Sequence, residues 1–187
     1  CGSVYVSIVG SGYVGTTVAA CLADYGHEVV NVDVDETVVE TVNAGESPIG
    51  EPGVGDLLAE HAGDRLEATT DYGRVRETEV TLLALPTPSN DDGSIDTSYV
   101  EAAAESVGDA LADASSESEH VVATKSTVIP GTTGEQVGPA VRERTDATVH
   151  VAANPEFLRM GSAVSDFRNP DKVVLGGNDE AVETLTE

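Results

Sequence analysis

The sequence predicts an α/β fold, a doubly wound parallel sheet of about six to eight strands with helices on both faces. Three observations carry that expectation. Short β-branched runs alternate along the chain with longer stretches of helical periodicity. Glycines at Gly10, Gly12 and Gly15 separate the first such run from the first helical stretch. An acid, Asp33, closes the second run, 18 residues past Gly15.

The elements follow in order. Val4, Val6, Ile8 and Val9 form a strand that stops at Gly10. Tyr13 to Gly26 reads as a helix with Val14, Val18, Cys21, Leu22 and Tyr25 on one face, and Gly26 ends it. His27 to Asp33 is the second strand, and Glu36 to Ala44 a second helix with Asp35 as its N-cap. Prolines stiffen the loop from Glu46 to Gly53, and a short helix covers Val54 to His61. Arg65 to Thr69 and Val80 to Leu85 are strands three and four. Pro86 and Pro88 cannot continue the ladder and fix the path of the loop that follows. A polar turn, Asn90 to Asp96, precedes an Ala-rich helix from Thr97 to Ala114, capped by Thr97 or Ser98. Strand five, Glu119 to Lys125, leads into Ser126–Thr133; a helix runs to Arg144, and Thr148 to Ala153 is strand six. Lys172 to Leu175 is expected as a last strand, with a helix from Asp179.

Composition sets the boundaries. The 187 residues suit one large domain, or one domain with the start of another. No apolar run approaches the roughly 18 to 20 residues of a membrane span, and no export pattern opens the chain. Acids number 34 against 9 Lys and Arg, a formal charge of −25, and the only lysines are Lys125 and Lys172. Such a chain repels nucleic acid and anionic membranes. The acids are scattered rather than blocked, which argues against a disordered tail. With the bias to small residues and the scarcity of Lys and Phe, they point to adaptation to high salt. Cys1 is terminal and Cys21 lies among Ala19, Ala20, Leu22 and Ala23. We therefore expect no disulfide, a buried packing thiol at Cys21 and a reducing cytoplasm. No metal-ligand set stands out.

The glycine spacing has a chemical reason. Gly10 permits the tight turn off the strand, and Gly12 lets the backbone approach a pyrophosphate. Gly15 lets the helix pack close, so that its N-terminal N–H groups and dipole face the phosphates. Asp33 can accept both hydroxyls of an adenosine ribose and repels a 2′-phosphate, which favours NAD over NADP. The result is a Rossmann-type domain whose ligands collect at the carboxyl ends of the strands, with Thr87 and Ser89 as candidate hydroxyl contacts.

Seven ordered motifs then resemble one family. They are Gly10–Gly15, Val32–Glu36, Asn43–Gly53, Pro86–Ser89, Lys125–Thr133, Asn154–Gly161 and Asn169–Gly177. Together they resemble the UDP-glucose/GDP-mannose dehydrogenases, four-electron NAD-dependent oxidoreductases of sugar nucleotides. The resemblance implies that the C6 alcohol of a nucleotide sugar, most often UDP-glucose, is oxidised in two hydride steps through a cysteine thioester. It implies cofactor contacts from Gly10, Ser11, Gly12, Tyr13, Val14, Gly15 and Asp33. Leu85, Pro86, Thr87, Pro88 and Ser89 would line the adenosine and ribose path, and Ser126 and Thr127 the nicotinamide. Thr127 matches a threonine that orients water, and Glu156 the general base of thioester hydrolysis. Phe157, Leu158 and Arg159 join Glu156 against the sugar nucleotide. Partial desolvation of Glu156 between Pro155 and the Phe157–Leu158 pair would strengthen it as a base. The chain departs from the family at Met160, where an acid is usual, and at Val38, where a basic residue is common.

The family's nucleophilic cysteine and uridine-binding lobe lie beyond the matching region. Residues 1–187 are thus expected to be the N-terminal NAD-binding domain of a longer, self-associating enzyme, inactive alone. UDP-N-acetyl amino sugars and GDP-mannose are the alternative substrates, and a non-catalytic NAD-binding module is the alternative of another class.

Overall fold

A computed structural model describes residues 2–114 and 119–186. Its sheet has seven strands in the order β3-β2-β1-β4-β5-β6-β7. These are β1 (Tyr5–Val9), β2 (Glu28–Val32), β3 (Leu66–Thr69), β4 (Val80–Leu83), β5 (Glu119–Thr124), β6 (Thr148–Ala153) and β7 (Gly176–Gly177). The first six run parallel, and β7 is antiparallel to β6. The order reverses between β1 and β4, which opens a crevice at their carboxyl ends.

Neighbouring apolar residues in each strand feed opposite cores, as a sheet covered on both faces requires. Ile8, Leu82 and Val121 join a cluster with Val18 and Cys21 of α1 (Tyr13–Asp24) and Leu58 of α3 (Val54–His61). Val9, Leu83 and Val122 join the other cluster with Val100, Val107 and Leu111 of α4 (Ser98–Leu111) and Val141 of α5 (Gly138–Arg142). Cys21 is fully buried and burial pushes its thiol up to about 11, which fits a packing role. Cys1 lies outside the described residues.

Asp35 caps α2 (Glu36–Asn43), its Oδ1 accepting from the N–H groups of Thr37 and Val38. Thr97 sits at the N-cap of α4 without a side-chain cap; Asp96 instead accepts from the Ser98 N–H at 2.9 Å. The helix expected from Thr133 opens as a wide π turn, Thr133–Val137, and becomes α5 only at Gly138. Two short elements escape the sequence reading, a 3₁₀ turn at Tyr72–Glu77 and α6 (Ala163–Arg168).

The strand expected at Lys172–Leu175 is not formed. Val173 is 65% exposed, and pairing begins only at Gly176–Gly177, ahead of α7 (Asp179–Thr184). Asn154 Nδ2 donates to the Val174 carbonyl at 3.0 Å, and the segment meets β6 only at its two glycines. A Cβ at Gly177 would stand 2.9 Å from the Val151 carbonyl oxygen, so a side chain there would push this segment off β6.

Candidate functional site

The glycine turn is built as its spacing predicts. Gly10 has φ +101°, and an added Cβ would lie 2.5 Å from the Ala84 carbonyl oxygen. At Gly15 a Cβ would lie 1.8 Å from the Gly10 carbonyl oxygen, so only glycine lets α1 start this close to β1. Gly12 is open: an added Cβ would meet no heavy atom within 4 Å. No side chain caps α1, so its first N–H groups and dipole face that open space. Ser11 Oγ donates to Asn31 Oδ1 at 2.9 Å, and Thr16 Oγ1 donates to the Ser11 carbonyl at 2.8 Å, bracing the turn from beneath.

Asp33 stands at the end of β2 beside that turn. Its Oδ2 accepts from the Ser11 N–H at 2.6 Å and its Oδ1 from the Asp35 N–H at 3.0 Å. Each oxygen keeps a lone pair for a further donor. An uncapped helix start, an open glycine and a fixed carboxylate together suit a pyrophosphate and a vicinal diol.

The loop after β4 carries Leu85 to Ser89. Leu85 packs on the second core, and Thr87 Oγ1 donates to the Thr127 carbonyl at 2.8 Å, joining this loop to the one after β5. Pro86, Pro88 and Ser89 are exposed along the crevice. The Ser126 hydroxyl is already engaged: it accepts from the Leu85 N–H and donates to the Leu85 carbonyl, both at 2.8 Å. Thr127 is exposed.

Glu156 follows β6. Its Oε1 accepts from the N–H groups of Phe157 at 2.6 Å and Leu158 at 3.0 Å, and its Oε2 lies 2.9 Å from Lys125 Nζ. Both partners of this ion pair are nearly buried, with side chains 8% and 14% exposed. Lys125 also donates to Asn154 Oδ1 at 2.9 Å. This environment differs from the apolar pocket expected for Glu156. Phe157 is 44% exposed and does not cover the carboxylate; a cation and two backbone donors hold it. Sequence reasoning missed Lys125, although one of only two lysines ending an apolar strand was a visible signal.

Glu156, Phe157, Leu158 and Arg159 line one groove of about 530 Å³, together with both lysines. Lys172 Nζ stands 4.3 Å from the centre of the Phe157 ring. It therefore belongs to the groove wall rather than to the strand expected for it. Arg159 extends outward, paired with Asp166, and that pairing holds the Asp166 carboxyl well below its usual range. Met160 is 84% exposed. Glu51, also missed, joins Tyr13 to the end of this loop. No metal-binding cluster of His, Cys, Asp and Glu occurs among the described residues, and none of their helices is long and apolar enough to cross a membrane.

The family model described as UDP-glucose/GDP-mannose dehydrogenase family, NAD binding domain, matches residues 4–187. The chain belongs to this family. It is 54% identical over 187 residues to a UDP-glucose 6-dehydrogenase of Haloferax volcanii, a match covering 97% of this chain and 43% of that protein. A GDP-mannose 6-dehydrogenase of Azotobacter vinelandii is 41% identical over 182 residues, covering 94% and 41%. Among solved structures, a UDP-glucose dehydrogenase of the hyperthermophilic archaeon Pyrobaculum islandicum superposes with a TM-score of 0.92 at 41% identity, covering 98% and 43%. The chain thus spans about two-fifths of the length of these family members. The part it represents is the NAD-binding domain, and the Rossmann-type fold read from the sequence is the fold of the family. The similarity to a haloarchaeal protein agrees with the reading of the −25 charge.

Proposed function

We propose that the chain is the cofactor half of an NAD-dependent enzyme that oxidises the C6 alcohol of UDP-glucose to the carboxylate in two hydride transfers. The observation that carries this reading is the buried Lys125–Glu156 pair on the same sheet edge as the glycine turn. A module that only binds NAD has no use for a charged pair taken out of water at the ends of β5 and β6, because burying charge is costly. Of the two relatives above, the UDP-glucose enzyme is the more similar, 54% against 41%, which favours that substrate over GDP-mannose.

NAD, when bound, accepts the hydride. The chain's own residues supply position and proton handling. The Gly10–Gly15 turn and α1 hold the pyrophosphate, Asp33 the adenosine ribose, and the Leu85–Ser89 and Ser126–Thr127 segments the rest of the cofactor. Phe157 to Arg159 flank the sugar nucleotide. Lys125 and two backbone donors fix the Glu156 carboxylate, which takes the proton from the water that attacks the acyl group, with Thr127 orienting that water. The nucleophilic cysteine, a cytoplasmic setting and self-association of the whole enzyme belong to the same reading.

Glu156→Gln removes the base while keeping the shape. In the whole enzyme we expect the hydrolytic half to slow by roughly 10² to 10⁴-fold, the range of positioned proton transfer, and the acyl-enzyme to accumulate. Intact-protein mass spectrometry after a single addition of UDP-glucose and NAD reads this directly. Normal turnover without a covalent adduct removes Glu156 from the role of base.

A further inference from the structure

One buried carboxylate outside the expected site touches three elements. Glu51, in the loop between α2 and α3, is 6% exposed. Its Oε2 accepts from the Tyr13 hydroxyl at 2.6 Å and from the Gly161 N–H at 2.8 Å; its Oε1 accepts from the Ala163 N–H at 2.8 Å. Tyr13 is the first residue of α1, inside the glycine turn. Gly161 ends the loop that carries Glu156 to Arg159, and Ala163 starts α6. The Pro52–Gly53 turn that follows is fitted to α6: Gly53 has φ +84°, and a Cβ there would touch Val164 at 3.7 Å.

We infer that Glu51 is a positioning residue that ties the substrate-side loop, residues 154–161, to the cofactor turn, so that occupancy of the turn and order in the loop are coupled. The geometry argues against a simpler role as a proton donor. Three donors converge on the carboxylate, and the Tyr13 hydrogen bond above all holds its carboxyl below the usual range, so it has no proton to give. Conversely, burial first and Glu51 second push the Tyr13 phenol up to about 12. The two groups therefore stay joined as O–H and carboxylate across the neutral range, in a short charge-assisted bond.

The tie spans a gap that the rest of the loop leaves open. Arg159 is bound to Asp166 within the same region, and Arg168 of α6 meets Asp24 at the far end of α1, away from the turn. Leu158 packs on the core beside α1, and among the hydrogen bonds of the described residues a second and longer one, from the Tyr13 hydroxyl to the Arg159 carbonyl at 3.3 Å, joins the same turn to the same loop. A shift of the first turn of α1 around a pyrophosphate is thus passed through Tyr13 and Glu51 to the backbone that presents Glu156.

Amide hydrogen exchange on the 187-residue chain tests this in two arms. Without cofactor, Glu51→Gln should speed exchange at Gly161, at Ala163 or at both by at least about tenfold, since the one amide oxygen cannot replace both carboxylate oxygens. It should also let Tyr13 titrate below about 12, because the charged acceptor that helps to raise it is gone. With saturating NAD, the native chain should gain protection at both amides. Tyr13→Phe, which deletes one hydroxyl and leaves both backbone bonds, should keep the cofactor-free protection and lose the gain. Native exchange rates in Glu51→Gln overturn the tie. An NAD-induced gain in Tyr13→Phe equal to the native one, or none in a native chain that binds NAD, overturns the coupling. The second arm rests on the proposed cofactor site, and failure of that reading shows separately, as absence of saturable NAD binding. If Glu51→Gln does not fold, the Tyr13→Phe comparison still decides the coupling.

Discussion

NADP(H) is expected to bind this chain at least about a hundredfold more weakly than NAD(H), because a 2′-phosphate would meet Asp33. Its carboxylate cannot swing away, since the Ser11 N–H at 2.6 Å and the Asp35 N–H at 3.0 Å hold one oxygen each. Val38 stands where the family resemblance leads us to expect a basic residue, and both lysines line the groove of Glu156. Juxtaposed like charges cost several kcal/mol, and about 3 kcal/mol corresponds to roughly a hundredfold. Molar KCl shortens the Debye length to about 3 Å, which weakens long-range repulsion from the −25 chain but leaves the contact pair largely intact. Asp33→Asn should bind NAD less tightly and narrow the preference to below about tenfold. Paired titrations with NAD and NADP in molar KCl check both statements. Equal affinities in the native chain would sink the ribose argument.

Acid should unfold the chain through His120. It lies 3% exposed in β5, where its Nε2 is 2.7 Å from Thr81 Oγ1, which in turn is 2.7 Å from Ser7 Oγ. Thr78 Oγ1 extends the chain of hydroxyls to Ser7 at 3.1 Å. Burial pulls the imidazole down from 6.5 to about 4, against a hydrogen bond that the ring donates to the Thr78 backbone, which acts the other way. The unfolded chain therefore takes up this proton first. The contribution is fully present above about pH 6.5, is lost as pH falls through that value, and the loss levels off below about pH 4. At 1.36 kcal/mol per pKa unit, the loss between pH 7.5 and 4.5 is roughly 2 to 3 kcal/mol. Denaturant melts of the native chain and His120→Gln, at both pH values and fixed salt, isolate it from the falling charge repulsion, which acts oppositely. Parallel pH dependence in the two proteins would exclude His120 as the acid-sensitive group.

The sheet was legible because short β-branched runs alternate with helical stretches, and doublets such as Ile8–Val9, Leu82–Leu83 and Val121–Val122 suit strands buried on both faces. The glycine turn and Asp33 were legible because their spacing is local. What escaped depends on distance in sequence or on very short elements. The 3₁₀ turn at Tyr72–Glu77 and helix α6 are six residues each, too brief for a periodic signal. Lys172–Leu175 looked like a strand because Val173 and Val174 are β-branched, yet the close approach to β6 requires glycine. In the site, Lys125 and Glu156 are 31 positions apart and Glu51 lies 110 before Gly161. No composition or period pairs such residues; only the fold brings them together.

The most direct test of the cofactor site is a backbone-amide NMR titration of the 187-residue chain with NAD in molar KCl. Saturable one-to-one binding is expected, with the largest shift changes at Gly10–Gly15, Asp33 and Leu85–Ser89. Failure to saturate, or changes that leave the glycine turn and Asp33 untouched, would contradict that site.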